Sequence, residues 1–242
     1  MNQAVVAGLI GCVAFLYAMV GQAGGTAFLA IMALAEFSPL EMRPTALLLN
    51  IVAAGYTTWQ LQQRRAIEWT LLLPLTAPSV ATAFLGGLLV LRNSVYFVIT
   101  GLLLVVAAGS MLFRKRVDEA PGRPIRPLPA AVVGGVAGLL SGLTGIGGGV
   151  FLTPPLIALG WASPKRAAGL SPAFILCNSA VGFVGVLLAG ERVASGIGAY
   201  AVAAFAGAIL GTTASLRWMS EQATRYVLAA ILLFAGIRLL FR

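Results

Sequence analysis

The sequence contains little charge, no histidine and only two cysteines. Charged residues make up 10% of the 242 residues, against about 25% in soluble domains. Without histidine the chain lacks the commonest metal ligand and the usual general base. Cys12 and Cys177 are too far apart to form a CxxC pair or to indicate a disulfide framework, and we interpret them as small packing residues. We therefore expect no soluble domain, no enzyme, no metal site and no cofactor.

Long uncharged runs dominate what is present, since 60% of the residues are hydrophobic. A bilayer core needs roughly 20 apolar residues, and seven of the eight runs reach that length. The first residues lack the basic region of a signal peptide, so we expect the chain from Ala4 onward to stay in the mature protein. The runs predict an all-α integral membrane protein with the lipid bilayer as its partner. They cover 1–35, 44–63, 69–91, 93–113, 127–164, 167–190, 193–216 and 226–237.

The net charge of +9 is better explained by topology than by nucleic acid. Lys and Arg stand at the ends of the apolar runs, where cytoplasmic loops of membrane proteins collect positive charge. Phosphate-binding surfaces instead need basic residues on one exposed face, so we expect no nucleic-acid partner. The densest basic group is Arg114, Lys115, Arg116, Arg123 and Arg126.

The chain also contains an internal duplication. Residues 1–113 can be laid over 129–242, with Gly24-Gly25 matching Gly148-Gly149 and Asn50 matching Asn178. The residues between them, 114–128, are charged and proline-rich, which is typical of a linker outside the bilayer. We predict a single transmembrane domain, 1–242, made of two homologous repeats of four helical segments.

Each repeat opens with an apolar stretch interrupted by glycines, at 21–25 and at 145–149. Glycine costs about 1 kcal/mol relative to alanine inside a helix, and unwound backbone at membrane depth is tolerated only inside protein or beside water. Paired interruptions in two repeats indicate a transporter binding site, and the resulting helix N-termini favour an anion. The alternative is close helix packing, which we expect for Gly134, Gly138 and Gly142.

Two topologies follow from these interruptions. If each interrupted segment crosses once, the protein has eight crossings. If each is a hairpin that enters and returns, six full crossings remain and the second repeat is inverted relative to the first. A straight path through 4–35 would be about 48 Å long, too long for a core of about 30 Å. We favour the hairpins and the inverted repeats.

Polar residues follow each glycine cluster in the next helix: Thr45 and Asn50, then Ser171 and Asn178. An asparagine in an apolar span must bond another helix, a freed backbone group or a ligand. No charged residue lies near the middle of a predicted span, and no GxxxxGK[ST] motif is present. Transport would then be secondary or facilitative. Export of an anion would gain about 2.3 kcal/mol per charge from each 100 mV of inside-negative potential.

These features resemble the TauE/SafE sulfite exporter family of bacterial membrane proteins. The resemblance rests on GQAGGTAFLAIMALAEFSPLEMRPTALLLNIVA in the first half, on GLTGIGGGVFLTPPLIALGWASPKRAAGLSPAFILCNSAVG in the second, and on SVATAFLGG. The first half departs from the fuller glycine run by including Gln22. The resemblance implies a multi-pass protein of the bacterial cell (inner) membrane that exports a small sulfur-containing anion, of the sulfite or organosulfonate class.

Carried onto this chain, the resemblance implies substrate-binding backbone N–H groups at the two interruptions and side-chain donors in the following helices. Thr45 is a weaker candidate, and Arg43, Lys165 and Arg166 are interpreted as steering or topology charges. Uptake of another organic anion and a membrane subunit without transport remain alternatives. A homodimer through Gly86-Gly87 or Gly207 and Gly211 is left open. The predicted site residues are Gly24, Gly25, Thr26, Asn50, Gly147, Gly148, Gly149, Ser171 and Asn178.

Overall fold

A computed structural model describes residues 2–19, 22–112, 124–214 and 221–241. Within these ranges the chain forms ten helices and no strand, which confirms the all-helical prediction. Most of the predicted linker lies outside them. The helices are α1 (Gln3–Met19), α2 (Gly25–Leu34), α3 (Pro39–Gln63), α4 (Trp69–Leu88), α5 (Asn93–Leu112), α6 (Pro127–Thr144), α7 (Gly149–Ala158), α8 (Pro164–Leu188), α9 (Ile197–Ala214) and α10 (Glu221–Leu240).

Five helices are long and apolar enough to cross a membrane in the described part of the chain: α4, α5, α6, α8 and α9. By contrast α2 and α7 have ten residues each, about 15 Å, which is half of a bilayer core. Large apolar side chains such as Leu73, Val106, Val202 and Phe234 are exposed on the outer helices. These side chains form the surface that lipid covers.

Glycines on α6 allow it to pack against α4 with almost no gap. A Cβ at Gly134, Gly138 or Gly142 would overlap the carbonyl oxygens of Leu75, Ser79 and Ala83 respectively. At these contacts the residue numbers increase in the same order along both helices, so α4 and α6 run parallel. The close packing expected for these three glycines is confirmed.

An equivalent seam joins α1 to α9. A Cβ at Gly207 would overlap the carbonyl oxygen of Gly11, and one at Gly211 would overlap that of Phe15, so these two helices are also parallel. The two α9 glycines considered for a dimer face are therefore used inside the protein. The same holds for Gly86-Gly87, which lie against α6 and α8.

The centre of the protein is built from α2, α3 and α8. Every residue of α2 from Gly25 to Ala33 is buried. Helices α3 and α8 cross in opposite directions, because Leu47 lies near Gly182 while Gly55, later in α3, lies near Leu176, earlier in α8. The middle of α3 thus faces the middle of α8.

One loop contacts the beginnings of two helices. The loop between α8 and α9 includes Gly196, which lies against the side chain of Gln3 at the start of α1. In the same loop, the backbone N–H of Ala194 donates to Oγ1 of Thr45 at 2.8 Å, near the start of α3. The first residues of α1 and α3 therefore lie at the same end of the protein.

Candidate functional site

The two glycine interruptions touch each other at the centre of the protein. Gly25, the first residue of α2, packs against the carbonyl oxygen of Ile146 in the second interruption, and a Cβ at Gly25 would overlap that oxygen. Both residues are buried. The sequence predicts each interruption separately, but no local pattern indicates that the two meet.

Four glycines give the interruptions their shape. Gly24, Gly145, Gly147 and Gly148 have φ angles of 99°, 83°, 89° and 81°, in the left-handed region that is costly for other residues. Gly24 and Gly148 precede the first residues of α2 and α7, and Gly145 follows the last residue of α6. The interruption predicted over 145–149 is confirmed. In the first cluster, the described residues are non-helical up to Gly24.

The beginnings of α2 and α7 are buried with amide groups that have no acceptor within their helix. The N–H of Phe28 donates to the oxygen of Gly24 at 2.9 Å, and those of Phe151 and Leu152 donate to the oxygen of Gly148 at 3.0 Å and 3.1 Å. Amides before the first such bond have no intrahelical acceptor. Each helix N-terminus also carries a partial positive charge, so the pair can bind an anion.

Asn50 of α3 lies between the two interruptions. A Cβ at Gly25 would lie 2.7 Å from both Nδ2 and Oδ1 of Asn50, and one at Gly147 would lie 2.9 Å from Nδ2. The amide Nδ2 donates to the oxygen of Gly145 at 3.1 Å. Within the described ranges, Oδ1 is buried without a hydrogen-bond partner. The side chain holds the second interruption and keeps one acceptor free.

Asn178 of α8 contacts the same region from the second half of the chain. Its Oδ1 accepts from Oγ of Ser79 at 2.5 Å, and a Cβ at Gly148 would lie 3.4 Å from its Nδ2. Among the described residues this Nδ2 has no acceptor, although it is buried. The two matched asparagines thus contact neighbouring glycines of one interruption.

Three buried serines lie beside Asn178 or the second interruption, and no sequence pattern predicted them. Ser79 orients Asn178, Ser179 lies against Gly147, and Ser141 stands one turn before Gly145. Ser141 and Ser179 are buried with hydroxyls that have no partner in the described part of the chain. Serine is common in membrane helices as a small packing residue, so its presence in the sequence does not indicate a site.

The other predicted polar residues already have partners. Oγ1 of Thr26 lies 2.6 Å from the hydroxyl of Tyr17. Ser171 lies near Gly149 but donates to the oxygen of Ala167 at 2.9 Å. Thr45 accepts from the loop between α8 and α9, away from the glycines. Ligand binding by these three residues stays a prediction.

Arg43, expected to be a steering or topology charge, is instead 1% exposed beneath the second interruption. Its NH2 group lies 2.9 Å from Oε1 of Glu191, and its Nε donates to Oε2 at 3.0 Å. Burial raises the pKa of Glu191, and the Arg43 guanidinium opposes that rise. The sequence could not reveal this pair because both residues stand at the ends of apolar runs, where charges are ordinary.

Backbone oxygens complete the surroundings of Arg43. Its guanidinium donates to the oxygens of Gly87 and Leu89 at 2.7 Å each, and more weakly to that of Leu143 at 3.4 Å. These oxygens lie at the ends of α4 and α6, which carry partial negative charge. Arg43 therefore connects the first half of the chain to the end of the interrupted helix.

Comparison with known proteins agrees with this architecture. The family model described as Sulfite exporter TauE/SafE matches residues 5–239. A probable membrane transporter protein of Sinorhizobium fredii is 34% identical over 95% of this chain and 94% of its own length.

Two further relatives match less of their own length. A probable membrane transporter protein of Methanocaldococcus jannaschii is 28% identical over 51% of this chain and 47% of its own. A Na(+)/H(+) antiporter of Renibacterium salmoninarum is 30% identical over 65% of this chain and 34% of its own. No solved structure matches.

Two of these relatives are probable membrane transporters and the third is a Na(+)/H(+) antiporter. Together with the five apolar helices they make this a multi-pass bacterial membrane protein. The family model covers nearly the whole chain, including both interruptions and both asparagines. The chain therefore belongs to the TauE/SafE sulfite exporter family of membrane transporters.

Proposed function

We propose that this protein exports a small sulfur-containing anion, of the sulfite or organosulfonate class, by a secondary or facilitative mechanism. The observation that carries the proposal is the contact between the start of α2 and the interruption that precedes α7, beside Asn50 and Asn178. Each of these two asparagines is buried with one side-chain amide atom that has no partner in the described ranges. Unpartnered buried polar atoms are costly. A ligand that bonds them removes that cost.

The chemistry of the free atoms favours an oxyanion. Nδ2 of Asn178 and the backbone amides at Gly25 and Gly149 are donors, and the hydroxyls of Ser141 and Ser179 can also donate. Two helix N-termini, each equivalent to about half a positive charge, balance one negative charge. The free Oδ1 of Asn50 needs a donor, so an oxyanion that retains one proton meets it best.

We further propose that the repeats are inverted and that α1–α2 and α6–α7 are hairpins. Three contacts support this arrangement: Gln3 and Thr45 both lie at the loop between α8 and α9, and α3 crosses α8 in the opposite direction. The chain then makes six full crossings, with the two interruptions meeting between them. Such inverted repeats are common in secondary transporters, in which one bundle moves against the other around a central site.

Flux measurements on purified protein in proteoliposomes test the function. We expect saturable sulfite flux that increases with an imposed potential, with thiosulfate and sulfoacetate as competitors. Asn178→Ala should abolish this flux, because it removes the free amide donor. Asn93→Ala is the matched control, since Asn93 is exposed at the start of α5, and it should retain the flux.

Each outcome separates the alternatives. Unchanged flux in folded Asn178→Ala would contradict the proposed site. No flux of any sulfur anion with folded protein would instead favour another organic anion or a membrane subunit without transport. Flux that is faster in the inward direction under matched gradients would favour uptake.

A further inference from the structure

Within the described ranges three ion pairs join the two halves of the chain: one is Arg238 with Glu36, and the other two lie at the ends of α3 and α8. Arg43 near the start of α3 pairs with Glu191 in the loop after α8, and Arg166 near the start of α8 pairs with Glu68 in the loop after α3. We propose that Glu191 is a proton-binding site that opens the substrate path at the Arg43 side. This inference rests on the function proposed above.

The two pairs lie at opposite ends of the protein. Because α3 and α8 run in opposite directions, the start of α3 lies at the end of α8, and the reverse holds for the other pair. We name these the α3 end, with Arg43 and Glu191, and the α8 end, with Arg166 and Glu68. Asn50 and Asn178 stand in the middle of these helices, so the candidate site lies between the pairs.

The surroundings of the two pairs differ sharply. At the α3 end the side chains are 1% and 5% exposed. At the α8 end they are 39% and 44% exposed and border a surface cavity of about 270 Å³, lined also by Trp161. The protein is therefore closed at the α3 end and open to solvent around the pair at the α8 end.

Arg43 of the buried pair packs directly against the second interruption. A Cβ at Gly145 would lie 3.3 Å from Cγ of Arg43, and Gly145 is the residue whose oxygen accepts from Asn50. Beside them, the hydroxyl of Tyr96 donates to the oxygen of Thr144 at 3.1 Å. Movement of Arg43 must therefore move the backbone that forms the candidate site.

A neutral Glu191 would weaken this closure without leaving Arg43 unpaired. Protonation removes the charge that attracts the guanidinium, while the backbone oxygens of Gly87 and Leu89 continue to hold it. The loop carrying Glu191 could then move away from α3. The proton comes from water at the α3 end and returns to it when the carboxylate forms again.

Other charged and titratable groups stand on the elements around the pair. Arg43 faces Glu191 from α3, and Tyr96 of α5 interacts electrostatically with both members of the pair. Arg192 follows in the same loop and Arg92 stands in the loop after α4, and both are exposed. Burial raises the pKa of Glu191, which moves its titration towards neutral pH.

A cysteine at the candidate site can report the opening. Cys12→Ala and Cys177→Ala first remove the native thiols. Ser179→Cys then places one thiol against Gly147, in the position of a buried hydroxyl that has no partner in the described ranges. A membrane-impermeant maleimide is added to oriented vesicles on the side of the membrane that the α3 end faces. Labelling rates are measured between about pH 5 and pH 8.

Three versions of this reporter are compared: with Glu191 intact, with Glu191→Gln, and with Glu68→Gln. Dividing each rate by that of Glu191→Gln cancels the pH dependence of thiol reactivity. With Glu191 intact the ratio should approach one at low pH and fall about tenfold per pH unit once the carboxylate forms. Glu68→Gln, which neutralises the exposed pair, should give the same profile as the intact version.

A ratio that does not change with pH would overturn the proposal. So would a profile flattened by Glu68→Gln. If Ser179→Cys fails to fold, Ser141→Cys replaces it, and no labelling from the α3 side at low pH with either reporter would also refute the proposal. Because labelling needs no substrate, pH-dependent labelling without sulfite flux would contradict the proposed substrate and leave the proton site standing.

Discussion

The contact between the two interruptions can be tested with Gly25→Ala. The added methyl group would overlap the oxygen of Ile146 and would lie 2.7 Å from two atoms of the Asn50 amide. Replacing glycine by alanine in a helix ordinarily stabilises by about 1 kcal/mol. Overpacking costs about 1–3 kcal/mol. The upper end of this range applies here, because the obstacle is a backbone oxygen that cannot rotate away. We therefore expect a net loss of about 2 kcal/mol.

Thermal unfolding in detergent, followed by circular dichroism, measures this effect. A loss of that size should lower Tm by about 4–8 °C for a chain of this length. Gly109→Ala is the matched control, because Gly109 lies inside α5 and a Cβ there would meet nothing within 4 Å. That variant should melt at or above the wild-type temperature. A Tm of Gly25→Ala equal to that of Gly109→Ala would refute the contact between the interruptions.

The pairs Arg43–Glu191 and Arg166–Glu68 give the remaining predictions. Arg43→Gln leaves a buried carboxylate without its cation and should lower the free energy of unfolding by about 3–5 kcal/mol. Arg166→Gln at the exposed pair should lower it by at most about 1 kcal/mol. Equal changes in thermal stability would contradict the difference in burial. Arg166 lowers the pKa of Glu68 below its ordinary value, so this carboxylate stabilises the fold above that value and ceases to do so as pH falls through the lowered pKa. Glu68→Gln should therefore make stability less sensitive to acid below about pH 4.5, and an unchanged acid profile in denaturation experiments would count against the pair.

Much of the fold follows from residue patterns alone. The charge-free runs predict membrane helices, and the glycines at 145–149 predict a break, because glycine is both costly in a helix and required for left-handed backbone. The glycines of α6 likewise predict close packing. The matching of Asn50 to Asn178 predicts that both asparagines belong to the binding site. Both lie against the second interruption.

The sequence alone does not predict which distant parts of the chain contact each other. The burial of Arg43 depends on Glu191, which is 148 residues away, and on the ends of α4 and α6. Ser79 bonds Asn178 across 99 residues. A pattern with a helical period shows which face of a helix is apolar, but not which helix covers that face.

The glycine seam between α1 and α9 has a consequence for how the chain is made. The end of α1 at residue 19 and the start of α9 at residue 197 are separated by about 180 residues. At about 5–20 residues per second, synthesis of that stretch takes about 9–36 s. Throughout this interval the α1 face destined for α9 must remain in contact with lipid or with the insertion machinery. A nascent chain stopped before residue 197 would therefore keep that face uncovered, and membrane quality control can act until α9 is made.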